Sequence, residues 1–137
     1  MAGVAVVIVS HSKGLAEGVR DLARQMTRTH DLIWAVGGGD DGRLGTSALL
    51  TKAALEEALE HADAAVVLMD LGSAYLNTVM AIEMLDESAR SKVLFADAPL
   101  VEGAVLAAIS AASGSSAEEV RIAAEEARDM KKVLKGS

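Results

Sequence analysis

Four short apolar runs constrain this chain most: Val4–Val9, Leu32–Val36, Ala64–Met69 and Val93–Ala96. Each is rich in Val, Ile or Leu without strict alternation. That is the pattern of strands buried on both faces of a parallel sheet, since a strand with one wet face alternates apolar and polar residues. Segments of helical character separate the runs. They predict helices over Lys13–Thr27, Ser47–Glu60 and Ser73–Glu87, a fourth from Leu100, just after Pro99, to near Gly114, and a last one opening at Ser116. Ser116 and Glu119 have capping-box spacing. Apolar stripes mark the inner faces: Leu15, Val19, Leu22, Ala23 and Met26 in the first helix; Leu55, Ala58, Leu59 and Ala62 in the second; Val120, Ala123, Ala127, Met130 and Leu134 in the last. Strand–helix repeated four times, then an extra helix, predicts an α/β fold. Its core is a doubly wound, mainly parallel four-stranded sheet flanked by helices, with right-handed crossovers. With 137 residues and no repeat, low-complexity stretch or linker, one domain over residues 1–137 is the simplest expectation.

Charge and composition remove several classes of function. The net charge of −7 repels nucleic-acid backbones and anionic lipid, and only Trp34, Tyr75 and Phe95 are aromatic, too few for base stacking. The chain has no cysteine, which excludes disulfides, thiolate catalysis and thiolate metal sites. No apolar run approaches the roughly 20 residues of a membrane span. The start of the chain runs into Val4–Val9 without a basic leader, so a cytoplasmic location is expected. Tyr75–Leu85 and Leu100–Ala112 are apolar around most of the helix axis, more than a small core absorbs, which suggests a homodimer.

In open α/β sheets ligands bind beyond the carboxyl ends of the strands. The residues to weigh are therefore Ser10–Gly14, the glycine-rich loop Gly37–Ser47, Asp70–Ala74 and Asp97–Gly103. His11 is the histidine in these loops, whereas His30 and His61 read as surface residues near helix ends. Position alone leaves His11 evenly balanced between a site residue and an ordinary loop histidine. Asp70, at the end of the third run, tips the balance. A carboxylate there can hold one ring nitrogen of His11, fix its tautomer and leave the other nitrogen as a nucleophile. The competing reading of Asp70 is a cap for the third helix. Gly72 and Ser73 stand at that helix's start, and Thr46 and Ser47 at the start of the second, where backbone N–H groups suit a phosphate; ordinary capping is the competing reading.

Gly37, Gly39 and Gly42 formally spell a dinucleotide fingerprint, but they follow the second strand and no helix opens within them. No Gly-Lys precedes Thr46, so a Walker loop is also excluded. Asp40 and Asp41 are two adjacent carboxylates without a third ligand, a poor metal site and better read as a solvated loop. One histidine, one carboxylate and phosphate-friendly loops suit phosphoryl transfer, which relies on positioning and charge stabilisation, here with no metal or cofactor of the protein's own.

These residues resemble a known family. Val6–Ser12 followed by Leu15–Val19 resembles the start of mannose-type enzyme IIA domains of the bacterial phosphotransferase system. Gly45-Thr46-Ser47, Asp70–Ala74 and Leu100–Ala104 resemble the phosphotransferase subunit of phosphotransferase-system-dependent dihydroxyacetone kinase, so the resemblance runs from Val4 to about Val120. It implies that His11 accepts a phosphoryl group at Nε2 from phospho-HPr. It also implies a homodimer, and transfer onward to ADP held on a nucleotide-binding partner subunit, while a third subunit binds dihydroxyacetone. Asp70, Thr46, Gly72 and Ser73 fall on the family's active-site positions. Some relatives continue into HPr-like and enzyme I-like domains, so a chain ending at Ser137 is expected to use separate donors. Three other readings stand beside this one: a sugar carrier feeding a IIB domain, a receiver-like module phosphorylated on aspartate, and a regulatory protein that carries no phosphate. A receiver needs an acidic pair after its first strand, where this chain has Ser10-His11-Ser12.

Overall fold

The computed structural model describes residues 3–27 and 31–135. The elements follow in the order β1 (Val4–Ser10), α1 (Lys13–Thr27), β2 (Ile33–Gly37), α2 (Ala48–His61), β3 (Ala64–Met69), α3 (Gly72–Glu83), α4 (Glu87–Arg90), β4 (Val93–Phe95), α5 (Leu100–Ala112) and α6 (Ala117–Glu125). A 3₁₀ turn, Glu126–Asp129, closes the last helix. The four strands form one parallel sheet in the order β2-β1-β3-β4.

The absence of alternation in β1 now has its physical reason. All seven of its residues are buried, because helices cover both faces of the strand. Val4, Val6 and Ile8 face one layer with Val66 and Leu68 and the small residues of α1, α5 and α6. Ala5, Val7 and Val9 face the other with Val67, Leu55, Ala58 and Leu85. Each fully buried Val or Ile contributes about 1.5–3 kcal/mol from removal of apolar surface. Alanines at 104, 107, 108 and 111 let α5 lie close on the sheet and on α1 and α6.

Three expectations need correction. Within the first stripe, Ala16, Val19 and Ala23 are buried, while Leu15, Leu22 and Met26 flank the contact and stay exposed. The third helix stops at Glu83 rather than Glu87. Its last turn ends through Met84, Leu85 turns inward, and a separate short helix starts after Asp86. The last stripe is shorter than predicted: Val120, Ala124 and Ala127 are buried, but the chain leaves helical geometry after Asp129, so Met130 and Leu134 are exposed. The apolar excess of the third helix lies on its surface, at Tyr75, Leu76, Met80 and Met84. His61 ends α2, exposed, with Nδ1 3.0 Å from the Glu57 carbonyl; His30 lies outside the described residues.

Gly37 ends β2 where the turn after β1 crosses it. A Cβ there would stand 2.7 Å from the Ser12 carbonyl oxygen and 2.9 Å from the Lys13 Cα. Both obstacles are backbone, so they yield only if the turn moves. Gly37→Ala is therefore expected to cost about 2–3 kcal/mol and to lower the melting temperature by roughly 10 °C. Thermal denaturation followed by circular dichroism checks this. A change below 2 °C would mean that the turn relaxes freely.

Candidate active site

The strand order places the site. The chain leaves β1 for β2 on one side, then crosses back over β1 to β3. The switch in winding therefore lies between β1 and β3, where an open α/β sheet forms its crevice. Val9 pairs with Met69 in register, so Ser10 and His11 emerge beside Asp70.

Asp70 gathers four hydrogen bonds. His11 donates twice, from its backbone N–H to Oδ2 at 2.9 Å and from ring Nδ1 to Oδ1 at 2.9 Å. The Ser10 hydroxyl donates to Oδ2 at 2.8 Å, and the Leu71 N–H to Oδ1 at 2.7 Å. An ionised carboxylate can only accept, so Nδ1 carries the proton and the lone pair lies on Nε2. The Ser73 hydroxyl approaches Nε2 at 2.6 Å and donates to it. The His11 side chain is 25% exposed and that of Asp70 is 12% exposed, which leaves the ring reachable and shields the carboxylate.

Burial works to raise the Asp70 pKa, but the donors from His11, Ser10 and Leu71 together outweigh it and hold the carboxyl below its usual range. Between the lowered native value and the ordinary value of 3.8, the unfolded state binds more protons than the native one. The contribution is thus complete above that ordinary value and is lost as pH falls through the native value. In urea titrations the gap between wild type and Asp70→Ala should narrow progressively below pH 3.8. A gap independent of pH would show that the carboxylate charge adds nothing to stability.

The neighbouring loops are fastened to this centre. Gly45 donates its N–H to the His11 carbonyl at 2.8 Å, which brings the glycine-rich loop against the histidine. Thr46 is the next residue, and its hydroxyl accepts from the Asn77 amide on α3. Ser47 caps α2, with its hydroxyl accepting from Leu50 N–H at 3.1 Å and donating to Asp40. Asp41 pairs with Arg43 at 3.4 Å, and both are exposed. Among the described residues no group of three or more His, Cys, Asp or Glu is arranged to hold a metal.

One competing reading is corrected here. Asp70 does not cap α3: the N-cap is Leu71, with no side-chain cap among the described residues, and the carboxylate is spent on His11, Ser10 and Leu71. The first-turn N–H groups at Gly72 and Ser73 therefore have neither an intrahelical partner nor a side-chain cap, and the positive end of the helix lies beside Nε2. Sequence reasoning also passed over Ser10 and Asn77. The available signal for Ser10 was that it is the single polar residue closing an otherwise apolar strand.

The family model described as "EIIA-man: PTS system fructose IIA component" matches residues 5–121. This chain belongs to that family. The matched span of this enzyme IIA domain contains Ser10, His11, Thr46, Asp70, Gly72 and Ser73. The chain is 41% identical over 132 residues to the phosphoryl donor subunit DhaM of PEP-dependent dihydroxyacetone kinase from Escherichia coli, covering 94% of this chain and 28% of that protein. A second such subunit, from Listeria innocua, is 35% identical over 117 residues, covering 85% of this chain and 93% of the relative. The enzyme IIA domain thus spans under a third of the Escherichia coli relative and nearly the whole of the Listeria one. The crystal structure of EF1359, a protein of unknown function, superposes with a TM-score of 0.81 at 31% identity, covering 96% of this chain and 98% of that one.

Proposed function

We propose that this single-domain protein is a cytoplasmic phosphohistidine carrier: His11 takes a phosphoryl group from phospho-HPr and passes it to ADP held on the nucleotide-binding subunit of a dihydroxyacetone kinase. The observation that carries this reading is the two-sided hold on one ring. Asp70 fixes the proton on Nδ1, and Nε2 faces the Ser73 hydroxyl at the uncapped start of α3. In the forward step the Nε2 lone pair forms a bond to the donor's phosphorus. The donor's own bond to phosphorus breaks, and its nitrogen leaves with the electron pair. The positive charge gained by the imidazole is held by the Asp70 carboxylate. Ser73 turns its hydroxyl from Nε2 to a phosphoryl oxygen, and the N–H groups of Gly72 and Ser73 take part of the remaining charge. Thr46, held over the site by Asn77, supplies a further hydroxyl. The second step is the same exchange, with a β-phosphate oxygen of ADP as the nucleophile.

The ~40% identity to dihydroxyacetone-kinase donor subunits favours this acceptor over a IIB domain. Phosphorylated protein, freed of donor, should lose its phosphoryl group rapidly to the ADP-loaded nucleotide-binding subunit and slowly to a IIB domain. The reverse preference would assign a sugar carrier instead. The exposed apolar side chains of α3 support a homodimer, which sedimentation at micromolar concentration tests; a monomer there would overturn it.

A further inference from the structure

We infer that Ser10 is a positioning residue for the transfer: its buried hydroxyl locks one oxygen of Asp70 so that the other meets the His11 ring. Ser10 has no solvent exposure, and it closes a strand whose other six residues are all Val, Ile or Ala. A hydroxyl buried at such a place is costly unless both its donor and acceptor capacities are used. Both are. The hydroxyl donates to Asp70 Oδ2 at 2.8 Å and accepts from the Ser12 N–H at 3.0 Å. The second bond removes the hydroxyl's freedom to rotate away, because its lone pair is already directed at the turn that carries His11. One side chain therefore ties three pieces together: the end of β1, the turn into α1 and the carboxylate after β3.

The geometry at Asp70 shows what the lock does. Oδ2 is held by the Ser10 hydroxyl and the His11 N–H, while Oδ1 is held by the Leu71 N–H and His11 Nδ1. A carboxylate gripped on both oxygens cannot rotate, and Nδ1 stays aligned with Oδ1. Without the Ser10 hydroxyl, Oδ2 keeps a single donor. The hold on that oxygen is halved, so the carboxylate librates further about its terminal torsion and Nε2 samples a wider range of attack directions. The only ion-pair partner of Asp70 among the described residues is His11, so no second cation compensates.

The inference rests on His11 being the phosphoryl acceptor, and the test separates the two. Single-turnover uptake from phospho-HPr is measured across pH for wild type, Ser10→Thr, Ser10→Cys and Ser10→Ala, with melting temperatures alongside. Thr keeps the hydroxyl, Cys offers a weak donor and Ala none. The expected order of rates follows donor strength. Ala should be about 10- to 100-fold slower than wild type, the loss that misplacing a reacting group produces. The same final extent of labelling is expected throughout. The Asp70 carboxyl carbon, followed by NMR without any donor, should titrate at higher pH in Ser10→Ala than in Ser10→Thr. Equal rates with an unchanged Asp70 titration would overturn the inference, as would rates that follow melting temperature instead of donor strength. Failure of wild type itself to take up label would overturn the acceptor assignment, and the NMR comparison would still decide whether Ser10 holds Asp70.

Discussion

His11→Ala stops the relay and leaves the fold standing. In a coupled assay with the remaining kinase subunits, dihydroxyacetone phosphate formation should fall at least about 1,000-fold, to background, because the substitution removes the ring nitrogen that faces Ser73 at the start of α3. The loss in stability should be small. The ring is one of four hydrogen-bond contacts on Asp70, and the His11 N–H, Ser10 and Leu71 donors remain after truncation. The cost is about 1 kcal/mol, which corresponds to a fall of roughly 3–5 °C in melting temperature. A variant that loses turnover only because it unfolds would show a far larger fall, so the two measurements together isolate the chemical role.

Asp70→Ala should slow transfer without removing the acceptor. The carboxylate does two things that alanine cannot: it keeps the proton on Nδ1, and it balances the charge that the ring gains when Nε2 bonds to phosphorus. Freed of it, the neutral ring carries its proton on Nε2 part of the time and then has no lone pair there to attack with. It also turns about its side-chain bonds. Together these should lower the single-turnover rate about 100-fold or more, while the final extent of labelling stays the same. The structural cost should exceed that of His11→Ala, because the buried Ser10 hydroxyl and two backbone N–H groups lose their acceptor, a loss of about 2–3 kcal/mol. An unchanged rate in a folded Asp70→Ala protein would reduce the carboxylate to a structural tie.

The sheet was legible because its strands are buried on both faces and so appear as unbroken apolar runs; Ala64–Met69 was placed to the residue. The capping box at Ser116 was legible because both of its bonds are local in sequence. What could not be read depends on tertiary geometry. The break after Glu83 follows from Leu85 turning into the core under α3, not from any proline or glycine. Exposure of Leu15, Leu22 and Met26 follows from the narrow contact that alanine-lined helices make. At the site, His11 and Asp70 could be paired from the sequence because both close strands. The hydroxyl of Ser10 could not, since its bond to Asp70 depends on the β1–β3 register and on a side chain facing along the sheet edge. The uncapped start of α3 was hidden for the same reason: Asp70 resembles a cap until its oxygens are seen to be taken.

Intact-mass analysis tests most directly whether His11 itself holds the phosphoryl group. Wild type and His11→Ala are incubated with phosphoenolpyruvate, enzyme I and HPr, then weighed before and after treatment with acid or alkali. A gain of one phosphoryl group is expected on wild type, lost in acid and retained in alkali, with no gain on His11→Ala. A normal gain on His11→Ala, or a label that survives acid or is removed by alkali, would contradict it and move the phosphoryl group to another residue.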